Sequence, residues 1–167
     1  MATSLYLTAT AATLADTEQL VQFFATLGER GPGTAGRDQV AVAVRQGFAE
    51  NFESQAAGDS GAWAALAPST IKDRIRRGFP GPRPILVRRG DYRSSFTLHE
   101  APDHVAEFET RPGLWLWREG SGDYRVGWLE SGTEKMPPRP VLELGRRAEN
   151  RIEITLQQVL DHLGPAE

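Results

Sequence analysis

Apolar side chains recur along this chain with two periods, and each period predicts a different kind of element. Val40, Val44, Phe48 and Phe52 fall at steps of four, which puts them on one stripe of a helix from about residue 35 to about 56. Ahead of it, Leu20, Phe23, Phe24 and Leu27 mark another helical face, opened by Asp16 or Thr17 and ended by Gly28. Near the start, Leu5 and Leu7 alternate with Tyr6 and Thr8, the period of a short strand. The chain closes on Ala148, Ile152, Leu156, Val159, Leu160 and Leu163, a long amphipathic helix over about 143–163 that Gly164-Pro165 terminates.

Between the helices the punctuation changes. Gly58 to Gly61 reads as a loop, Pro68 or Ser69 opens a third helix running to Arg77, and Gly78 to Pro84 is a Gly/Pro-rich excursion expected to be mobile over about 78–84. From Ser94 to Trp128 the pattern predicts strands separated by Ala101-Pro102-Asp103, Arg111-Pro112-Gly113 and Glu119-Gly120-Ser121-Gly122. Leu114-Trp115-Leu116-Trp117 is apolar on both faces and therefore expected to be covered twice. The fold class is α+β: an antiparallel β-meander packed against two or three N-terminal helices and a long C-terminal helix. With no linker or repeat to divide it, 1–167 is expected to be one domain.

Composition leaves this picture in place: 40% apolar and 25% charged residues lie within the globular range. Thr3 to Ala15 lacks the Lys/Arg start of a signal peptide and no run has the length of a membrane span, so neither general secretion nor a membrane partner is expected. The absence of cysteine excludes disulfides and thiolate metal sites.

Charge adds something new. Residues 59–94 hold eight cations (Lys72, Arg74, Arg76, Arg77, Arg83, Arg88, Arg89, Arg93) against three anions (Asp59, Asp73, Asp91), so with a net charge of −3 the rest of the chain carries −8. Such a bipolar chain can bind nucleic acid through residues 72–93, or pair the basic part of one copy with the acidic part of the next.

Reaction chemistry finds little support. Gly31-Pro32-Gly33-Thr34-Ala35-Gly36 matches the dinucleotide fingerprint by letter, but a helix precedes it where a strand is required, so it reads as a turn between helices. Pro102 breaks the single helix that a metal site built on His99-Glu100 and Asp103-His104 would need. Ser94 and Ser95 are not on a nucleophile elbow, and Glu107 and Glu109, about 7 Å apart on one strand face, read as its wet side. No catalytic residue, cofactor or metal is expected. Sequence-specific nucleic-acid binding lacks a recognition helix and an aromatic platform among the cations.

Three phrases remain: Trp63-x-x-Leu66-x-Pro68-x-Thr70, Leu86-x-x-x-Gly90-x-x-Arg93-x-Ser95, and Gly132-Thr133-x-x-Met136-Pro137-x-Arg139-Pro140. In that order and spacing they resemble the virion morphogenesis family of tailed bacteriophages, the group similar to the Mu G and P2 S tail completion proteins, from about Val40 to Leu163. Members commonly read Tyr-Ala-x-x-His-x-x-Gly before the last phrase, whereas this chain has Gly127-Trp128-Leu129-Glu130-Ser131-Gly132; Gly90-Asp91-Tyr92 likewise replaces the commoner Gly-x-Leu.

The resemblance implies a tail completion or neck protein in the virion, assembled in the host cytoplasm as a homo-oligomeric ring of roughly six or twelve copies. Its implied neighbours are head-completion or connector proteins and tail-terminator or tail-tube proteins, with double-stranded DNA passing through the lumen without sequence-specific binding. Trp63, Leu66, Pro68, Thr70, Leu86, Gly90, Ser95, Gly132, Pro137 and Pro140 are then structural anchors. Arg88, Arg89, Arg93, Trp115, Trp117 and Arg139 are the interface candidates; the prolines around Arg139 hold an extended arm that projects it outward, where it serves either as a docking contact or as one side of an intramolecular salt bridge.

Overall fold

The computed structural model describes residues 34–111 and 114–163, with backbone alone at 34, 35, 108, 110, 111, 114–117, 160 and 163. The strand expected at Leu5 and Leu7, the helix expected over Leu20 to Leu27 and the first half of the turn expected over Gly31 to Gly36 lie outside the described residues, and its second half, Thr34 to Gly36, is helical. Helix α1 (Thr34–Ser54) runs through the middle of the structure and buries Val40, Val44, Phe48 and Phe52, the stripe its period of four predicts. A reversal at Gln55 leads into a small antiparallel ladder of β1 (Ala56–Ala57) and β2 (Gly61–Ala62).

Helix α2 (Pro68–Arg76) starts on proline, whose missing N–H would be unsatisfied there in any case. Helix α3 (Asp91–Thr97) follows Gly90, which takes φ 96°. The hairpin of β3 (His104–Arg111) and β4 (Leu114–Ser121) pairs His104 with Ser121 and Phe108 with Trp117. Helix α4 (Val126–Ser131) and the long α5 (Arg146–Leu163) complete the order. The class is α+β, with the antiparallel strands in two pairs, the short β1–β2 ladder and the β3–β4 hairpin, and the flanks of the expected strand region wound into α3 and α4. Spacing explains those flanks: Tyr92 and Phe96 are four apart, Val126 and Leu129 three apart, and all four side chains are buried.

Helix α5 packs its Ala148, Ile152 and Val159 face on α1. Gly47 makes the close approach possible, because a Cβ there would stand 2.8 Å from Leu144 Cδ2 and 3.0 Å from Ala148 Cβ. Its poor helix propensity is thus offset by packing. Asp59, from the β1–β2 turn, accepts the Arg146 N–H at 2.8 Å and caps α5 from a distance in sequence. Between the helices an aromatic cluster fills the core: Phe48 meets Phe96 edge-on at 5.5 Å, Phe52 meets Tyr92 at 6.1 Å, and Tyr92 meets Phe96 at 5.2 Å.

Candidate assembly surface

The first and third sequence phrases form a single interlocked unit. Trp63 is buried edge-on against Phe52 at 5.6 Å, and its indole N–H donates to the Pro140 carbonyl at 2.8 Å. Arg139 reaches back the other way: Nε donates to the Ala64 carbonyl at 2.8 Å and Nη2 to the Ala65 carbonyl at 2.9 Å. The backbone N–H of Arg139 bonds to the Leu129 carbonyl at 2.6 Å, and burial pulls the guanidinium pKa down. Arg139 is 4% exposed, so its side chain turns inward where the proline arm suggests outward projection, since the two carbonyls of the Trp63 loop need a donor that can reach both.

Gly132, at φ 73°, sits where a Cβ would lie 2.8 Å from the Pro138 nitrogen; the loop closes on it through a Thr133–Met136 bridge. Leu66, Leu86 and Met136 pack on the core as partly buried supports, while Pro68 and Thr70 lie on the exposed side of α2 and Pro137 is exposed. Glu130 accepts the Val141 N–H at 2.7 Å and the Leu142 N–H at 3.3 Å, and burial pushes its carboxyl above the ordinary 4.5. The native state therefore holds that proton more tightly than the unfolded chain, and the associated stability is present below 4.5 and lost as pH rises through the raised value. Glu130→Gln keeps an acceptor and removes the buried charge. Its melting temperature relative to wild type is expected to rise between about pH 4 and about pH 7; a difference that stays constant over that range refutes the assignment.

The second phrase forms a basic rim. At the end of α2, Asp73 engages Arg76 at 2.8 Å, Arg77 at 3.0 Å and Arg88 at 3.6 Å, and the Arg76 and Arg77 hydrogen bonds hold its carboxyl below the ordinary carboxylate range. Arg88 also stacks over the Phe79 ring at 4.8 Å, which ties the 78–84 excursion to this rim. Arg93 stands 3.6 Å from Glu53, and Arg89 is exposed with no ion pair among the described residues. Arg74 turns inward and donates to the Pro84 carbonyl at 3.0 Å. Arg77, Arg88 and Arg89 join Arg125, Asp91 and Tyr92 around a cavity of about 230 Å³. Arg125 grips buried Asp123 through Nε at 2.9 Å and 3.0 Å; this pair holds the Asp123 carboxyl low and the guanidinium high.

Beside the rim lies an apolar patch that periodicity did not single out. Tyr124 and Trp128 are 74% and 56% exposed, and their rings meet edge-on at 5.4 Å. A wide groove lined by Leu98, Tyr124 and Arg125 shares Asp91 and Arg125 with the arginine cavity, so the two features are continuous. Trp128 departs from the residue pattern of the resemblance, and that departure was its signal in the sequence. Trp115 and Trp117 sit on β4 opposite Thr110 and Phe108, and their side chains lie outside the described residues.

Several polar groups inside the molecule are engaged structurally. His104 and Glu119 are almost fully buried 3.0 Å apart, Arg45 meets the same carboxylate oxygen at 2.7 Å, and Ser95 bridges to Ser121 at 2.7 Å. Glu107 pairs with Arg118 at 2.9 Å on the outer face of the hairpin. Among the described residues no group of three or more His, Asp or Glu side chains is arranged to hold a metal ion, and no helix is long and apolar enough to cross a membrane.

What the molecule offers on its outside is a continuous surface of Trp, Tyr and Arg, the side chains that carry most of the energy in protein contacts. The chain belongs to the phage virion morphogenesis family, whose model matches residues 15–161. Neither the curated proteins nor the solved structures contain a significant match. Family membership gives it a structural or assembly role in the virion.

Proposed function

We propose that this chain is a structural subunit of a ring at the phage head-tail junction, a tail completion or neck protein needed to join tail to head and to line the DNA passage. It turns over no substrate; it works by docking to copies of itself and to the connector and tail proteins on either side. The observation that carries this reading is the exposed Tyr124–Trp128 pair beside the arginine rim. Apolar rings in that position are costly to leave in water and gain energy when a partner covers them. The alternative, a nucleic-acid module using residues 72–93, is less well supported. Asp73 already engages three of those cations and Arg74 turns inward, which leaves fewer of them for phosphates.

Particles produced without this chain are expected to accumulate as separate heads and tails that join when the purified protein is added; normal joining in its absence overturns the proposal. The double variant Tyr124→Ala/Trp128→Ala is expected to weaken docking by at least about 2 kcal/mol, roughly 30-fold, because the pair has hot-spot composition. Its melting temperature should not change, since both side chains are exposed. Full joining activity in that variant would remove the aromatic pair from the docking surface.

A further inference from the structure

We infer that the arginine cavity receives the acidic face of α5 from a second copy of this chain, with Glu149 and Glu153 as the entering carboxylates. The inference rests on the self-assembly reading above and gives it a partner element. Four guanidiniums (Arg77, Arg88, Arg89, Arg125) and one carboxylate (Asp91) line the cavity. From outside the lining Asp73 engages Arg77 and Arg88, and Asp123 engages Arg125, so the lining is basic and Arg89 is the cation left for an entering carboxylate. Arginine suits this task because its planar fork binds a carboxylate through two parallel hydrogen bonds.

Tyr92 supplies a second, independent sign. It forms part of the cavity wall, is 3% exposed, and its hydroxyl has no partner among the described residues. A buried phenol without a partner is a donor waiting for an acceptor. Burial pushes its pKa far up, which keeps it a neutral donor. The recess is small: about 230 Å³ admits one or two side chains, whereas a duplex backbone needs a longer stripe of cations.

The acidic partner is found on the same chain. Glu149, Glu153, Gln157 and Asp161 follow at steps of four on α5, away from the Ala148, Ile152 and Val159 face that packs on α1. Glu149 and Glu153 are exposed, make no ion pair among the described residues, and stand one turn apart, about 6 Å along the axis. Being fixed on a packed helix, they lose little freedom on docking. The cavity lies among α2, α3 and α4 while the stripe lies on α5, so the contact is heterologous and repeats head to tail, as ring closure requires.

The chain has no cysteine, so introduced thiols are the only ones present. In joined particles carrying Arg89→Cys together with Glu153→Cys, mild oxidation is expected to give a ladder of covalent multimers, whereas each single variant stops at the monomer or dimer. Reversing the cavity (Arg88→Glu/Arg89→Glu) or the stripe (Glu149→Arg/Glu153→Arg) is expected to lower joining at least about tenfold with unchanged melting temperature, and combining the two should restore it. Joining by the wild-type chain with no ladder and no rescue overturns this contact and leaves the ring reading intact; so does a cavity reversal that lowers duplex-DNA retention while joining stays normal. Joining in the complete absence of the chain overturns the ring reading itself.

Discussion

Replacing Glu119 by alanine is expected to lower the unfolding free energy by about 3–5 kcal/mol, measured by chemical denaturation at neutral pH. The carboxylate lies 2.7 Å from Arg45 and 3.0 Å from His104, and the His104 and Glu119 side chains are each 2% exposed. Nδ1 of His104 is 3.0 Å from the Ser95 carbonyl, while Nε2 faces the Glu119 carboxylate without a hydrogen bond between them. Glu119 ties β4 to α1 through Arg45 and packs beside His104 of β3. Removing it leaves a partly buried guanidinium without its counter-charge, which costs more than the pair itself contributes. Replacing all three groups by apolar residues of similar volume (Arg45→Met, His104→Phe, Glu119→Leu) should cost far less than the single change. Equal loss in both variants would mean that the network contributes through packing and not through compensated charge.

None of that network was legible in the sequence, and the reason is physical. His104 stands beside Pro102-Asp103 in the chain and reads as part of a polar turn, while its partners Glu119 and Arg45 are separated from it by a strand pairing and a helix packing that only the fold supplies. The helices with a strong period were legible: the Val40 to Phe52 stripe and the Ala148 to Val159 stripe both lie in the core. Helices α3 and α4 were not, because seven and six residues hold too few repeats to separate a helical from an extended pattern, and neighbouring strands favour the wrong reading. At the surface, Arg88 and Arg89 stand out as charge, but Tyr124 and Trp128 become a patch only where the turn ahead of α4 brings the Tyr124 ring edge-on to Trp128. Arg139 is conspicuous in the sequence, yet local sequence gives a proline-flanked arginine no inward target; Ala64 and Ala65 arrive from more than seventy residues away.

That long-range contact leads to the second large effect. Trp63→Ala is expected to cost about 3–5 kcal/mol, because it empties a core position and also frees the Pro140 carbonyl. The milder Trp63→Phe keeps one aromatic ring but loses the hydrogen bond and leaves a small void, about 1–2 kcal/mol. Arg139→Met keeps the stem and leaves the Ala64 and Ala65 carbonyls unpaired, at about 2–4 kcal/mol. Because the Trp63 loop and the Arg139 arm each hold the other's backbone, the losses should not add. A double-mutant cycle of Trp63→Phe and Arg139→Met is expected to show a coupling of about 0.5–3 kcal/mol, while Arg139→Met with Arg89→Glu should show none. These anchors and the docking surface then part company experimentally. Loop variants lower melting temperature and joining together, whereas rim variants lower joining alone; a Trp63→Phe/Arg139→Met cycle with no coupling would mean that the two phrases are neighbours without forming one unit.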